Sequence, residues 1–514
     1  MDSRYIFETV ECCLPEPPIP AGPCYRYRSR GYNHRTLSST FPSDGGEDHI
    51  SALPDDLRLN ILSRLPLADA GRTSVVSKCW RGLWKRNPLI FRGDQLTTDA
   101  SYWDDAPLVE EISKFLESYE GAFGWLHLCF DYVKHEGALT NWLRLFATKD
   151  LKTLILVHER QYPLVIPRLP VSVLSCSTLR RLYLGLWKFP DTTGLARSPG
   201  VFPFLEELGI CHIIMQDHDF EYLIACSPQL KTLNFIQSYK SPSRVHISSP
   251  ALSRIVLWLS TVEELALVTP TRLQRLILEP CGKRPTNNTS VVIGNAPQLE
   301  VIGYLQTASH VLTIGDTIVT AGLKYMRPEA TVPSVKVLAL KVCFGVDKEV
   351  KMLLSFLRCF PCVETLHIRM MPPSSEDNEA NGELSNVFWQ TVAGVECIES
   401  HLTKVVLDQT TMVGNEFGFI KMLFEKAEML QEMVLVLPWK FRWCKQQEVI
   451  DKVAEQRANA MFAKFELRLL VPLGPESSWS YASAVSASDP FPSVGRTILW
   501  SPGALGRNLR WIRD

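Results

Sequence analysis

The chain has 514 residues, 46% hydrophobic and 21% charged, with a formal net charge of −1; that length calls for several domains or a solenoid. The even charge balance argues against a nucleic-acid partner, and no uninterrupted apolar run reaches the roughly 18 residues that a membrane span requires. The first residues lack a basic start followed by an apolar core, so the 14 cysteines are expected as thiols in a reducing, intracellular setting, cytoplasm and/or nucleus.

Residues 1–47 read as a disordered tail, proline-rich from Leu14 to Pro23 and small and polar from Ser38 to Gly46. Its basic cluster, Arg26, Arg28, Arg30 and Arg35 among Tyr25, Tyr27 and Tyr32, is read as solvated. Residues 48–92 change character. Pro54, Asp55 and Asp56 open a helix whose Leu57, Ile61, Leu62 and Leu65 share a face until Pro66 stops it. Asp69 can cap a second short helix, and Ser77 to Arg86 places Trp80, Leu83 and Trp84 on one side of a third. So many large apolar side chains in some 40 residues leave two readings. Either another protein completes the unit, or the helices pack on the chain's own C-terminal domain.

The segment Asp48-His49-Ile50-Ser51-Ala52-Leu53-Pro54-Asp55-Asp56-Leu57, followed by Ile61 to Pro66 and Ala70 to Trp84, resembles the F-box of the plant F-box, leucine-rich-repeat and FBD family. The resemblance implies docking on a Skp-type adaptor and through it a cullin. The docking residues, carried over by position, would be Leu53, Pro54, Leu57, Ile61, Leu62, Leu65, Pro66, Trp80, Leu83 and Trp84. Two positions depart from the family pattern, Gly71 where valine is usual and Cys79 where a basic residue is usual.

Residues 93–150 are expected to be a helical linker and N-terminal cap. Its two stripes are Ile112, Phe115, Leu116 and Tyr119, then Leu139, Trp142, Leu143 and Phe146. From Leu151 to about residue 395 an apolar-x-x-apolar-x-apolar signature recurs, as in Leu151/Leu154/Leu156, Leu179/Leu182/Leu184 and Leu205/Leu208/Ile210. Further copies include Leu230/Leu233/Phe235, Leu252/Ile255/Leu257, Val262/Leu265/Leu267, Leu299/Ile302/Tyr304 and Val363/Leu366/Ile368. The last two apolar positions lie two apart and so share one face of a short strand. Each unit buries one side only, so neighbours must stack in parallel. The returns have helical spacing, as in Val350, Leu353, Leu354 and Leu357. The expected fold is therefore α/β: a three-helix F-box, then a right-handed α/β leucine-rich-repeat horseshoe. Residues 396–471 resemble the FBD region that closes many such chains, and 472–514 read as a disordered tail.

Catalytic constellations are not found. Cys359-Phe360-Pro361-Cys362 lacks the second ligand pair of a zinc site, and neither a phosphate-cradling glycine loop nor a nucleophile elbow is present. No cofactor or metal and no enzymatic activity are expected. In a horseshoe, residues between the inward leucines line the concave sheet. The candidates for holding a target protein are Thr153, Ile155, Arg181, Tyr183, Glu207, Thr232, Asn234, Arg254, Arg275 and Thr365. With the resemblance, this implies a non-catalytic substrate receptor of an SCF-type cullin ubiquitin ligase. The alternatives are a small-molecule-dependent receptor using the same face, and a scaffold whose F-box is weakened at Gly71.

Overall fold

Leucines two apart give a strand one apolar row, which is stable only if neighbouring strands extend it. The computed structural model shows those rows. It describes residues 3–16, 50, 52–62, 65, 70–73, 78–84, 89–93, 106–159, 166–268, 272–280, 288–373, 384–438, 440, 443–459, 465–470, 481 and 488–491. They divide between two units, residues 1–230 and 231–514.

In the first unit, helix α1 (Ser3–Cys12) precedes the short helices α2 (Asp55–Leu62) and α3 (Lys78–Trp84). Strand β1 (Leu89–Arg92), α4 (Ala106–Ser118), β2 (Phe123–Phe130), α5 (Glu136–Thr148) and β3 (Thr153–His158) follow. Then come β4 (Arg181–Gly185), β5 (Glu207–Cys211) and α6 (Asp217–Ala225). The strands lie in chain order, β1 to β5, and those pairs whose register is defined are parallel. Leu126, Leu154, Leu182 and Leu208 stand in one row and Leu128, Leu156, Leu184 and Ile210 in the next, all buried. Such burial stabilises by about 1.5–3 kcal/mol per side chain. The sheet thus begins at Leu89, with β2 between the two helices expected as a cap. Those helices form where the 3.6-residue stripes predict them, and α5 buries Leu139, Trp142, Leu143 and Phe146.

In the second unit one parallel sheet contains β6 (Thr232–Ile236), β8 (Arg254–Trp258), β10 (Arg275–Glu279), β12 (Val301–Gln306) and β15 (Val337–Val342), in that order. It continues through β16 (Thr365–Met370), β17 (Lys404–Asp408), β18 (Glu432–Val436) and β19 (Glu466–Leu470). A second, five-stranded sheet holds β7 (Arg244–Ile247), β9 (Glu264–Leu267), β11 (Thr289–Ile293), β13 (His310–Ile314) and the short β14 (Thr317–Ile318). The copy Val262/Leu265/Leu267 therefore belongs to this second sheet and not to the main series. In the same sheet β11 and β13 alternate buried with half-buried residues, the period of a strand return. Helical returns appear in this unit from α7 (Asp347–Cys359) onward, then α8 (Asn386–Thr391), α9 (Asn415–Lys426) and α10 (Trp443–Asn459). Helix α7 buries Val350, Leu353, Leu354 and Leu357 as its spacing predicts.

Two backbone features shape the strand ends. Leu186, His212, Gln237, Leu259 and Gln409 each follow a strand directly, and each has φ between 48° and 65°. A left-handed residue is costly without a glycine, so its recurrence at one place in the repeat marks a shared sharp turn. In β12 the pairing with β15 shifts register between Ile302 and Leu305. Gly303 occupies that bulge at φ 139°, where a Cβ would stand 2.3 Å from the Ala339 carbonyl oxygen. Leu305 then pairs with Leu340 in the apolar row, the place expected for Tyr304. The extra residue sends the Tyr304 ring to the other face.

Candidate functional site

In the N-terminal helical module, Pro54 and the acids Asp55 and Asp56 stand at the start of α2, and Arg58 bonds Asp55 at 2.6 Å. Leu62, Ala70, Trp80 and Leu83 form a buried cluster, with Leu59, Ile61 and Leu65 packed against it. Three of the expected docking residues, Leu62, Trp80 and Leu83, are therefore the module's own interior. Pro54 and Leu57 are exposed and Leu53, Ile61 and Leu65 half-buried; Ile50, outside the expected set, is 58% exposed. Pro66 lies outside the described residues, and Trp84 ends α3 with its side chain likewise undescribed. Among the described residues nothing stands within 4 Å of where a Cβ on Gly71 would be, so that glycine leaves no hole in their cluster.

The sheet face opposite the leucines is not bare. In the first unit Arg181 is exposed and pairs with Glu207 at 3.3 Å, and the Tyr183 hydroxyl donates to the same carboxylate. The Tyr183 ring lies over Gly209, where a Cβ would stand 2.1 Å from it. Thr153, Ile155 and Tyr183 are all buried. Helix α1 lies on this face: a Val10 methyl is 3.4 Å from the Cβ position of Gly185, and Cys13 lies close enough to Cys211 to raise its pKa after burial has done so. Ile6, Val10 and Cys13 are buried along one stripe of the helix. Residues 3–16 thus depart from the disorder expected of 1–47, because this short stripe is apolar enough to dock.

In the second unit Thr232, Arg254, Arg275 and Thr365 are half-buried at the first position of their strands, and Asn234 is buried. Burial, then the adjacent Arg254 guanidinium, lowers the pKa of Arg275 against the pull of Glu300. A denser group, missed from sequence, sits one residue beyond the last apolar position of five copies, with β12 intervening between the second and third: Trp258, Glu279, Lys341, Arg369 and Asp408. Lys341 Nζ reaches both Glu279 oxygens at 2.8 Å, and Arg369 Nε reaches Asp408 Oδ2 at 2.9 Å. The two cations flank the Tyr304 ring at 5.2 and 4.9 Å from its centroid. The sequence signal was the repeated place after the final leucine, whereas the expectation considered only residues between leucines.

A C-terminal segment covers this group. Asp489 Oδ2 lies 3.0 Å from His367 Nε2, and the Phe491 ring packs 5.0 Å from Tyr304 and 5.5 Å from His367. Burial works against the Asp489 carboxylate, yet the His367 hydrogen bond and charge, the Phe491 N–H and the Lys404 charge hold its pKa below the usual aspartate value. Tyr481 stacks edgewise on Trp258 at 5.9 Å. At these residues the expectation of a disordered 472–514 does not hold.

Elsewhere, Cys359 is buried and Cys362 half-buried, with burial raising the Cys359 thiol to about 12. Asp191, His218 and Asp219 cluster, but Asp219 already accepts from the Thr192 N–H and hydroxyl and the Gln216 N–H. A groove of about 700 Å³ beside Phe344, Met370, Met371, Pro372 and Val413 contains no cation among its lining residues to hold an anion. Among the described residues no helix is long and apolar enough to cross a membrane.

The helical module lies ahead of stacked parallel strands, and comparison with known families assigns both regions. Residues 50–92 match the F-box domain, and residues 139–368 match the leucine-rich repeats of FBD-associated F-box protein At5g56370. The chain is 31% identical to that Arabidopsis thaliana protein over 49% of its own length and 57% of the relative's. It is 26% identical to F-box/FBD/LRR-repeat protein At1g13570 of Arabidopsis thaliana over 80% of its own length and 96% of the relative's. FBD-associated F-box protein At5g18780, from the same plant, is 34% identical over 38% of the chain and 42% of the relative. The chain thus spans little more than half of the first relative and nearly all of the second. It carries an F-box and FBD-associated leucine-rich repeats, and its homologues are plant F-box/FBD/LRR-repeat proteins.

Proposed function

We propose that this chain is the substrate-receptor subunit of an SCF-type cullin ubiquitin ligase. Its F-box would dock a Skp-type adaptor and its repeats would hold a target protein. F-box domains generally bind such adaptors, and the match at residues 50–92 coincides with the helical module. The observation that carries the reading is the exposure of Ile50 and Leu57 beside Pro54 on a module whose interior is already filled. Large apolar groups held in water on a rigid support fit a partner surface. The chain then acts by positioning, raising the effective concentration of a target near a separate conjugating enzyme, and forms no bond itself. Residues 396–471 would close the repeats as an FBD-like cap, and the chain would work in the cytoplasm and/or nucleus.

The test is adaptor capture by the full chain. Ile50→Asp with Leu57→Asp should lower capture at least tenfold while leaving the melting temperature unchanged, since both side chains are exposed. Trp80→Ala serves as the contrast, because its buried ring makes it a folding variant first. Undiminished capture by the double variant, or no capture by the unaltered chain, overturns the reading.

A further inference from the structure

The group around Tyr304 and His367 is unlike the rest of the repeat sheet. A bulge at Gly303 forces Tyr304 onto the face, Lys341 and Arg369 are answered by Glu279 and Asp408, and His367 stands between Ala339 and Val406 in the strand register. The floor is charged and aromatic, and its two ion pairs are satisfied within it, so water can replace whatever covers it at little cost beyond the partner lost to His367. An apolar floor covered by a permanent strap could not be uncovered in this way. What covers it is a short motif, Asp489-Pro490-Phe491, whose Phe491 is 1% exposed while Ser488 faces solvent. Its contacts to this floor include the hydrogen bond of one acid and the packing of one aromatic ring. The motif is self-organised, as the Asp489 carboxylate also accepts the Phe491 N–H at 3.1 Å.

We propose that this floor is a peptide-docking surface for an acidic–proline–aromatic segment of a target protein, and that Asp489-Pro490-Phe491 occupies it as a tethered competitor. The proposal deepens the receptor reading and rests on it for the word target. The acid meets His367, and the ring fills the corner between Tyr304 and His367. A bound target must displace the chain's own segment, and covalent attachment gives that segment a standing advantage in effective concentration. Targets with isolated motifs are thereby excluded, and those presenting the motif repeatedly or with added contacts are admitted.

The experiment uses the full chain without adaptor, so adaptor capture and peptide docking succeed or fail separately. A fluorescein-labelled peptide spanning residues 484–496 is titrated against the unaltered chain and against Asp489→Ala/Phe491→Ala, followed by anisotropy. Binding at least tenfold tighter to the variant is expected, with the melting temperature of the variant within a degree or two of the parent. Adding His367→Ala should abolish that binding, and His367→Gln, which keeps an N–H donor, should restore part of it. A peptide with alanine at both motif positions should bind neither chain. Equal binding to parent and variant, no binding to a folded variant, or a melting loss typical of a core substitution would each overturn the proposal; the last would make the segment a structural strap.

Discussion

His310, on β13, is buried, and its Nδ1 accepts the Gln306 N–H at 3.1 Å. Burial first, and the Lys341 ammonium second, push its pKa down to about 4. In the unfolded chain the imidazole titrates near its ordinary value of about 6.5. Between those values the unfolded state holds a proton that the folded state refuses, so stability falls as pH drops through that window. The loss by pH 4 should be on the order of 3 kcal/mol. Urea denaturation of the parent and His310→Gln at pH 7.5 and pH 5 checks this; equal pH dependence in both would sink it. The Lys341–Glu279 pair offers a second measurement. Lys341→Met strands the Glu279 carboxylate, with Arg369 at 3.9 Å as partial relief. A cost of about 2 kcal/mol is expected, most of it recovered by adding Glu279→Gln.

Among elements, β4 and β5 meet through one close approach, the Tyr183 ring on Gly209. Gly209→Ala should therefore push the ring off the sheet and destabilise by about 1–3 kcal/mol, with Gly185→Ala a weaker contrast because it meets only methyl groups at 3.0 Å and beyond. A thermal melt unchanged by Gly209→Ala would contradict the contact. The strands and the helices at 139–146 and 350–357 were legible because periods of two and 3.6 differ plainly over ten residues. The second sheet was not, since β7, β9, β11 and β13 are five residues or fewer and one imitates the leucine signature. The bulge in β12 was likewise hidden: Ile302-Gly303-Tyr304 keeps a spacing of two, and only pairing with β15 shows that Leu305 takes the buried row. In the helical module the sequence showed which residues were apolar. It did not show which would face each other, because Leu62 stands on α2 while Trp80 and Leu83 stand on α3.

At the scale of the chain, the order of helical module and repeats was readable throughout, since each carries dense local signals. The docking of the two termini was not. A stripe of Ile6, Val10 and Cys13, or a lone Phe491 beside prolines, is too short to separate from tail composition. Repeat surfaces expected to await a target are in both units partly held by the chain itself, by α1 on one and by residues 488–491 on the other.

Helix α1 has a chemical corollary. Only the thiolate attacks an alkylating reagent, and burial raises the Cys13 thiol to about 12 and Cys211 well above its ordinary value. Exposed Cys12 and Cys79 should therefore take up iodoacetamide at pH 8 within minutes, while Cys13 and Cys211 stay silent. Deleting residues 1–16 should switch Cys211 from silent to labelled in a peptide map, and a Cys211 that stayed unlabelled would mean the helix had not been its shield. The pair Cys12 and Cys13, neighbours with opposite reactivity, makes the N-terminus its own timer: the ratio of their labelling rates reads how often the helix lifts from the sheet.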